Sequence, residues 1–217
     1  MIPLDPSISA LERRIEQRAQ LLGLTLSAEV RGQLATYLSL LFRWNRRINL
    51  VAFKDPDNAI DRLIGEPLLA AQWIPGDVKS LIDIGSGGGS PAIPLKLVLP
   101  HVALVMVESR VRKASFLREA VRDLGLKDAR VERERFEALK ESRDIAGHMD
   151  VVTVRAVRVG ASELQALEAL LRPGGFLLWF RGRHEGGEMT PGLASVVDQP
   201  LVPALGSRLR VLRKLER

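Results

Sequence analysis

The stretch Leu81-Ile82-Asp83-Ile84-Gly85-Ser86-Gly87-Gly88-Gly89-Ser90-Pro91 constrains the fold more than any other part of the chain. Apolar residues around one carboxylate read as a short buried strand. A glycine run follows, and Pro91 opens an apolar, helix-like segment from Ala92 to Leu99. Strand, glycine turn and helix in that order begin the nucleotide site of a doubly wound α/β domain. Glycine is needed there because the backbone turns sharply and a ligand approaches it closely.

The spacing narrows the ligand. A dinucleotide fingerprint is G-x-G-x-x-G, and Ser90 stands at its third glycine position. This disfavours a nicotinamide oxidoreductase. Gly85, Gly87 and Gly89 instead give G-x-G-x-G behind an acidic strand, which resembles the first motif of methyltransferases that use S-adenosylmethionine (SAM).

Periodicity places the remaining elements. Ile8, Leu11, Ile15, Ala19 and Leu22 recur at helical spacing, with Ser7 or Ser9 as the cap. Ser27 and Glu29 begin a second helix running to Phe42, and residues 58–73 form a third. After the glycine turn, strands and helices alternate. Strands are expected over Val102–Val107, Ala129–Glu134, Met149–Val154 and Phe176–Phe180, with weaker ones near Ala194–Val197 and Arg208–Leu212. Helices are expected over 111–124 and from a Ser162 cap to Leu171, with Pro173-Gly174-Gly175 as a hard stop and 182–192 as a loop. This alternation predicts an α/β protein with a mostly parallel sheet and an N-terminal helical extension. The expected division is a helical region over 1–75, packed on a core over 76–217.

Composition excludes some chemistry. The chain has no cysteine, so thiolate metal sites, disulfides and cysteine nucleophiles are excluded. Three histidines are scattered, and no paired-carboxylate or H-x-x-x-H arrangement suggests a metal. The beginning of the chain has no basic segment leading into an apolar run, and no apolar run reaches the roughly 20 residues of a membrane span. A cytoplasmic monomer without membrane association is the expectation. The net charge of +6 favours a polyanionic partner, and Arg43, Arg46 and Arg47 flank Trp44.

Ligands in such sheets bind beyond the carboxyl ends of the strands. Glu108 ends an unbroken apolar run at about the 20-residue distance from Gly85 expected of a ribose-binding acid; the competing reading is a surface glutamate opening the next helix. Asp83 either helps hold the glycine turn or orients the methionine end of SAM; the competing reading is an acid that only bonds local backbone amides. Arg135-Phe136-Glu137 follow the third strand, where backbone amides meet an adenine edge and an apolar side chain covers the ring; Phe136 as a plain core residue competes. Arg155, between Val154 and Ala156, is the candidate catalytic residue, facing the site near a carboxylate or phosphate. The alternative is an ion pair with an acid elsewhere.

Absences narrow the acceptor. Where amino-group nucleic-acid methyltransferases carry Asn/Asp-Pro-Pro-aromatic, this chain reads Val154-Arg155-Ala156-Val157. An acceptor nucleophilic without a general base remains, and guanine N7 is one, since its in-plane lone pair is free and no proton leaves before attack.

Together these residues resemble the RsmG (GidB) family of ribosomal RNA methyltransferases. Trp44-Asn45, Ile48-Asn49-Leu50, Asp83 through Pro94, Glu108-Ser109, Lys113, Phe116-Leu117, Arg135-Phe136-Glu137, Arg155-Ala156 and Arg181-Gly182 follow in family order. The resemblance implies a Rossmann-like fold and methyl transfer from SAM to N7 of one guanine in 16S rRNA of the small ribosomal subunit. It implies SAM contacts at Gly85, Ser90, Phe136, Glu137 and Arg155, with Glu108 at the ribose; Asp83 and Gly87 belong to the same wall. The chain departs from the family pattern at Ser90 (Phe or Leu), Ala92 (Gly), Val51 (Thr), Leu63 (His), Pro67 (Ser) and Val154 (Ser). Two other readings stand beside it: a SAM-dependent methyltransferase for a small molecule or protein, and a catalytically inactive RNA-binding relative.

Overall fold

The strand ahead of the glycine turn is β1 (Ser80–Ile84), near the middle of a seven-stranded sheet. The computed structural model describes residues 7–52, 55–157, 159–182 and 189–216. Strands β2 (Ala103–Val107), β3 (Ala129–Glu132), β4 (Met149–Arg155), β5 (Leu171–Arg181), β6 (Leu193–Pro200) and β7 (Arg208–Lys214) complete the sheet in the order β3-β2-β1-β4-β5-β7-β6. β1 to β5 run parallel, and β7 pairs antiparallel with β5 and β6. The chain leaves β1 toward β2 on one side and later returns to place β4 on the other. That reversal opens a crevice at the carboxyl ends of β1 and β4, where ligands of doubly wound sheets bind.

Side chains alternate across the strands, so the sheet has two buried faces. Leu81, Leu104, Met106, Val151 and Leu178 face helices α2 (Ala28–Asn45), α4 (Glu66–Ala71), α5 (Ala92–Val98) and α6 (Val111–Asp123). Ile82, Ile84, Val105, Val152 and Leu177 face α7 (Ala161–Leu170). Each fully buried Leu or Ile contributes roughly 2 kcal/mol from apolar burial. Helix α1 (Ile8–Leu21) packs on α2 through Leu11 and Ile15, in the same core as Leu34, Leu38 and Phe116.

Caps set the helix starts. Ser7, not Ser9, accepts the Ala10 N–H (3.3 Å), and Ser27 accepts the Val30 N–H (3.2 Å). Ser162 is not a cap: the helix starts at Ala161, and the Glu163 carboxylate accepts the Gly160 N–H at 2.9 Å. Pro173-Gly174-Gly175 is a bulge rather than a stop. β5 already begins at Leu171 opposite Met149, and regular pairing resumes at Val151 opposite Phe176. Of the expected loop 182–192, residues 183–188 lie outside the described residues.

The expected helix over 58–73 is three pieces: α3 (Pro56–Ile60), a π-helical turn (Asp61–Gly65) and α4. The cause is local. The Glu66 N–H bonds Asp61 O across the wider turn, and Pro67 has no N–H to give. The carbonyls of Arg62 and Leu63 therefore take side-chain donors from the crevice. Arg18 of α1 ties the turn to the N-terminal helices, its Nε donating to Asp61 Oδ1 at 2.8 Å. Among the described residues no helix is long and apolar enough to cross a membrane.

Candidate functional site

The glycine turn folds over the end of β1. Gly85, Gly87 and Gly89 all have positive φ, at 72°, 51° and 86°, a region that side chains rarely adopt. A Cβ on Gly85 would lie 2.7 Å from Val157 Cγ2, and one on Gly89 2.6 Å from Ile93 Cδ1. The Gly85 and Ser86 N–H groups both bond Val107 O at 3.0 Å, anchoring the turn to the end of β2. From above, the fully buried Tyr37 of α2 donates its hydroxyl to Gly88 O at 2.6 Å, and burial pushes the phenol well above its ordinary range.

Two cavities meet at Gly85. The first, about 430 Å³, lies between the turn, the loop carrying Leu50 and Val51, the π turn at Arg62 and Leu63, and Lys113. Ser90 and Arg155 also line it. The second, about 280 Å³, is bounded by Ile84, Glu108, Phe136, Glu137 and Val157. Joined, they form a bent cleft over the β1–β4 crevice, of a size that takes a ligand as large as a nucleoside with a side arm. The second half carries Glu108, Glu134 and Glu137 beside one cation, Arg135, and the first half carries Arg62, Lys113 and Arg155.

Glu108 ends β2 inside this cleft. Its Oε2 accepts the Gly87 N–H (3.1 Å) and its Oε1 the Arg110 N–H (2.8 Å), which fixes the carboxylate beside the turn. Each oxygen keeps a lone pair for a hydroxyl. Glu108 is therefore part of the cleft and not a surface residue: it is 7% exposed. Phe136 and Glu137 open the 3₁₀ turn after β3 and form the opposite wall.

Asp83 lies beneath the turn. It bonds no local backbone amide; its Oδ1 accepts the Thr153 hydroxyl across the β1–β4 pair at 2.6 Å. Ser86 donates to Asp83 O at 3.0 Å, and among the described residues Asp83 Oδ2 has no partner. Burial raises the carboxyl to about 6, against the pull of the Thr153 and Ser86 hydroxyls. Asp83 lines neither cavity; its carboxylate ties β1 to β4, and its main-chain oxygen takes the Ser86 hydroxyl of the turn.

Arg155, at the end of β4, forms an ion pair: Nη2 donates to Glu66 Oε2 at 2.9 Å. Nη1 donates to Arg62 O (2.6 Å) and Ser90 Oγ (3.1 Å), and the guanidinium stacks on Phe180 at 4.6 Å. Burial pulls the guanidinium below its usual range while Glu66 opposes that shift. The alternative of an acid elsewhere is thus realised, although Arg155 still borders the first cavity. Its charge is committed to holding the π turn, which argues against a free catalytic cation.

Ser90 also donates to Leu63 O at 2.8 Å. Three residues meet here: Pro67 withdraws an N–H from the turn, and Ser90 and Arg155 supply donors to the exposed carbonyls. Sequence reasoning missed Tyr37, Arg62 and the pairing of Arg155 with Glu66. The only available signal for Tyr37 was a single tyrosine in an otherwise apolar helix stripe. Among the described residues no group of His, Cys, Asp and Glu suits a metal ion.

Comparison with known proteins agrees with this geometry. Residues 31–197 match the model of the GidB family, described as rRNA small subunit methyltransferase G. A protein of Stenotrophomonas maltophilia (strain R551-3) named ribosomal RNA small subunit methyltransferase G is 41% identical over 187 residues, covering 86% of this chain and 83% of its own. A protein of the same name from Xanthomonas oryzae pv. oryzae (strain KACC10331 / KXO85) is 38% identical, covering 97% of both chains. Among solved structures, a mutant of MtNAS in complex with S-adenosylmethionine superposes with a TM-score of 0.58 at 12% identity, covering 96% of this chain and 90% of that one. A SAM-dependent methyltransferase from Aquifex aeolicus gives 0.53 at 13% identity, covering 75% and 94%. These structural matches establish the fold.

Proposed function

We propose, from the premise that the chain belongs to the GidB family of rRNA small subunit methyltransferases, that it transfers a methyl group from SAM to N7 of one guanine in 16S rRNA. The observation that carries this reading is the bent cleft at the β1–β4 crevice. Every residue that lines either half falls within the family match at 31–197.

The residues present fit SAM. At Gly85 the positive φ and the close approach of Val157 leave no place for a Cβ, so bare backbone borders both halves of the cleft, and Glu108 is held beside it with lone pairs to spare for ribose hydroxyls. In this reading Phe136 and Glu137 flank the adenine, while Gly85, Gly87 and Ser90 border the methionine half. Arg155 acts as a positioning residue, fixing the π turn that forms one wall. Bound there, SAM supplies a methyl group on a positively charged sulfur.

Among the described residues, no carboxylate or histidine lines the first cavity. Glu66 is 2% exposed and paired through Oε2 with Arg155, and Asp83 lies below the turn. An acceptor that must lose a proton before attack is poorly served by such a site. Guanine N7 needs none removed, so the chain has only to align it with the methyl carbon and sulfur and to exclude water. The N7 lone pair forms the new bond, and the electrons of the broken carbon–sulfur bond remain on sulfur.

We place the activity in the cytoplasm, on rRNA or the small subunit, with the protein acting as a monomer. The test supplies labelled SAM with unmodified small subunits, naked 16S rRNA or a pool of free metabolites. Label in rRNA alone is the expected result. Label in a small molecule or protein would replace the reading.

A further inference from the structure

Beside the first cavity lies a depression that the chemistry above does not use. Its volume is about 400 Å³, and its walls are Arg47, Ile48 and Asn49 on one side and Arg110, Arg112 and Lys113 on the other. The first wall is the loop after α2. Asn45 holds it: its side-chain oxygen accepts the Leu50 (2.8 Å) and Val51 (3.0 Å) N–H groups, and its amide donates to Val51 O at 2.9 Å. The second wall is the first turn of α6. Trp44 sets the spacing between the two. Its Nε1 donates to Glu119 of α6 at 3.1 Å, and its ring meets Phe116 edge-on at 6.0 Å. The Trp44-Asn45 pair is thus a clamp that builds the depression, not a residue pair offered to a ligand.

The electrostatics of the depression are unbalanced. The side chains of Arg47, Arg110, Arg112 and Lys113 make no ion pair or hydrogen bond among the described residues. Glu108, the nearest acid along the chain, commits both oxygens to backbone amides. The first turn of α6 contains no acid, so its cations also stand at the end of the helix where the dipole disfavours them. Val111 is 57% exposed at the rim, an apolar ledge beside the cations.

Lys113 belongs to both the depression and the first cavity. Its Nζ stands 4.0 Å from where a Cβ on Gly87 would lie. A chain whose phosphates lie in the depression therefore has a continuous path to the methyl donor. Only an unpaired nucleotide turns its base into such a cleft.

We propose that this groove holds the sugar–phosphate backbone of single-stranded RNA beside the target base, a proposal that rests on the rRNA reading above. Arg47, Arg110, Arg112 and Lys113 meet the phosphates, and Ile48 and Val111 pack against sugars or a neighbouring base.

The test compares wild type with Arg47→Gln/Arg110→Gln/Arg112→Gln and with a control, Arg13→Gln/Lys127→Gln/Arg143→Gln, which removes the same charge from other faces. Lys113 is left in place because it borders the SAM cleft. Affinity for an unmodified 16S rRNA transcript is measured by filter retention across salt concentrations, and SAM affinity by calorimetry. Each phosphate contact on a single strand contributes about 0.7 to the slope of log K against log salt. The groove variant is expected to lose about 2 from that slope and on the order of 100-fold in affinity at 0.1 M salt, with SAM affinity unchanged and the control close to wild type. An unchanged slope overturns the groove. So does an equal loss in the control, which reports net charge alone. Intact rRNA affinity with activity lost on assembled subunits points to a protein partner and also overturns it. A wild type that binds neither rRNA nor subunits refutes the underlying rRNA reading instead.

Discussion

Replacing Glu66 by Gln tests the network that holds the π turn. The substitution keeps the shape of the side chain and removes the carboxylate that, among the described residues, is paired with Arg155. The Arg155 side chain is 10% exposed and that of Glu66 3%, so water solvates the orphaned cation poorly. Removing one partner of a buried pair costs about 3–5 kcal/mol. The lower end applies here, because Arg155 keeps the Arg62 carbonyl, the Ser90 hydroxyl and the face of Phe180. For a chain of this size each kcal/mol lowers Tm by roughly 2–4 °C, giving a loss of about 6–12 °C. Thermal melts followed by circular dichroism read this directly. The double variant Glu66→Gln/Arg155→Met removes the stranded charge and is expected to melt above Glu66→Gln alone. A Glu66→Gln variant melting within about 2 °C of wild type, or a double variant whose losses simply add, would refute the argument.

Asp83 makes stability depend on pH. Its folded pKa of about 6 lies above the unfolded value of about 3.9, so the folded state binds the proton more tightly. The Asp83 contribution is therefore complete below pH 4 and is lost as pH rises to about 7. Asp83→Asn is expected to gain about 2–3 kcal/mol relative to wild type across that window, read from urea midpoints at successive pH values; a flat difference would show that Asp83 does not titrate there. Gly85→Ala combines a positive φ with a contact to Val157 and is expected to lose SAM binding in calorimetry while the far-UV spectrum persists, and wild-type affinity in this variant would remove the turn from the site. Tyr37→Phe takes the donor from Gly88 O and is expected to cost about 1–2 kcal/mol in urea unfolding, whereas a neutral effect would mean that the turn needs no support from α2.

The strand–turn–helix at Leu81–Leu99 was legible because its signal is local: an apolar run, glycines at fixed spacing and a proline. The positions of Glu108 and Phe136-Glu137 followed from it, since parallel strands put their carboxyl ends on one side of the sheet. Connections between distant parts of the chain were not legible. Arg155 reads as a charge at a strand end, but its partner lies 89 residues earlier, in a segment whose spacing fits an ordinary helix. The π turn arises from Pro67 together with donors on Ser90 and Arg155, three positions that no periodicity connects. Ser162 and Pro173-Gly174-Gly175 were misread for a related reason. Each carries a strong local preference, and tertiary context overrode it: Glu163 reaches back to Gly160, and pairing with β4 carries β5 through the glycines as a bulge.

The claim that this cleft delivers a methyl group to guanine N7 is tested most directly by mapping the product. Unmodified small-subunit rRNA treated with the protein and SAM is reduced and cleaved with aniline, which breaks the chain at N7-methylguanine. The account predicts one break, at a single guanine, that is absent without SAM. Methyl incorporation with no aniline-sensitive position, or breaks scattered over many guanines, would contradict it.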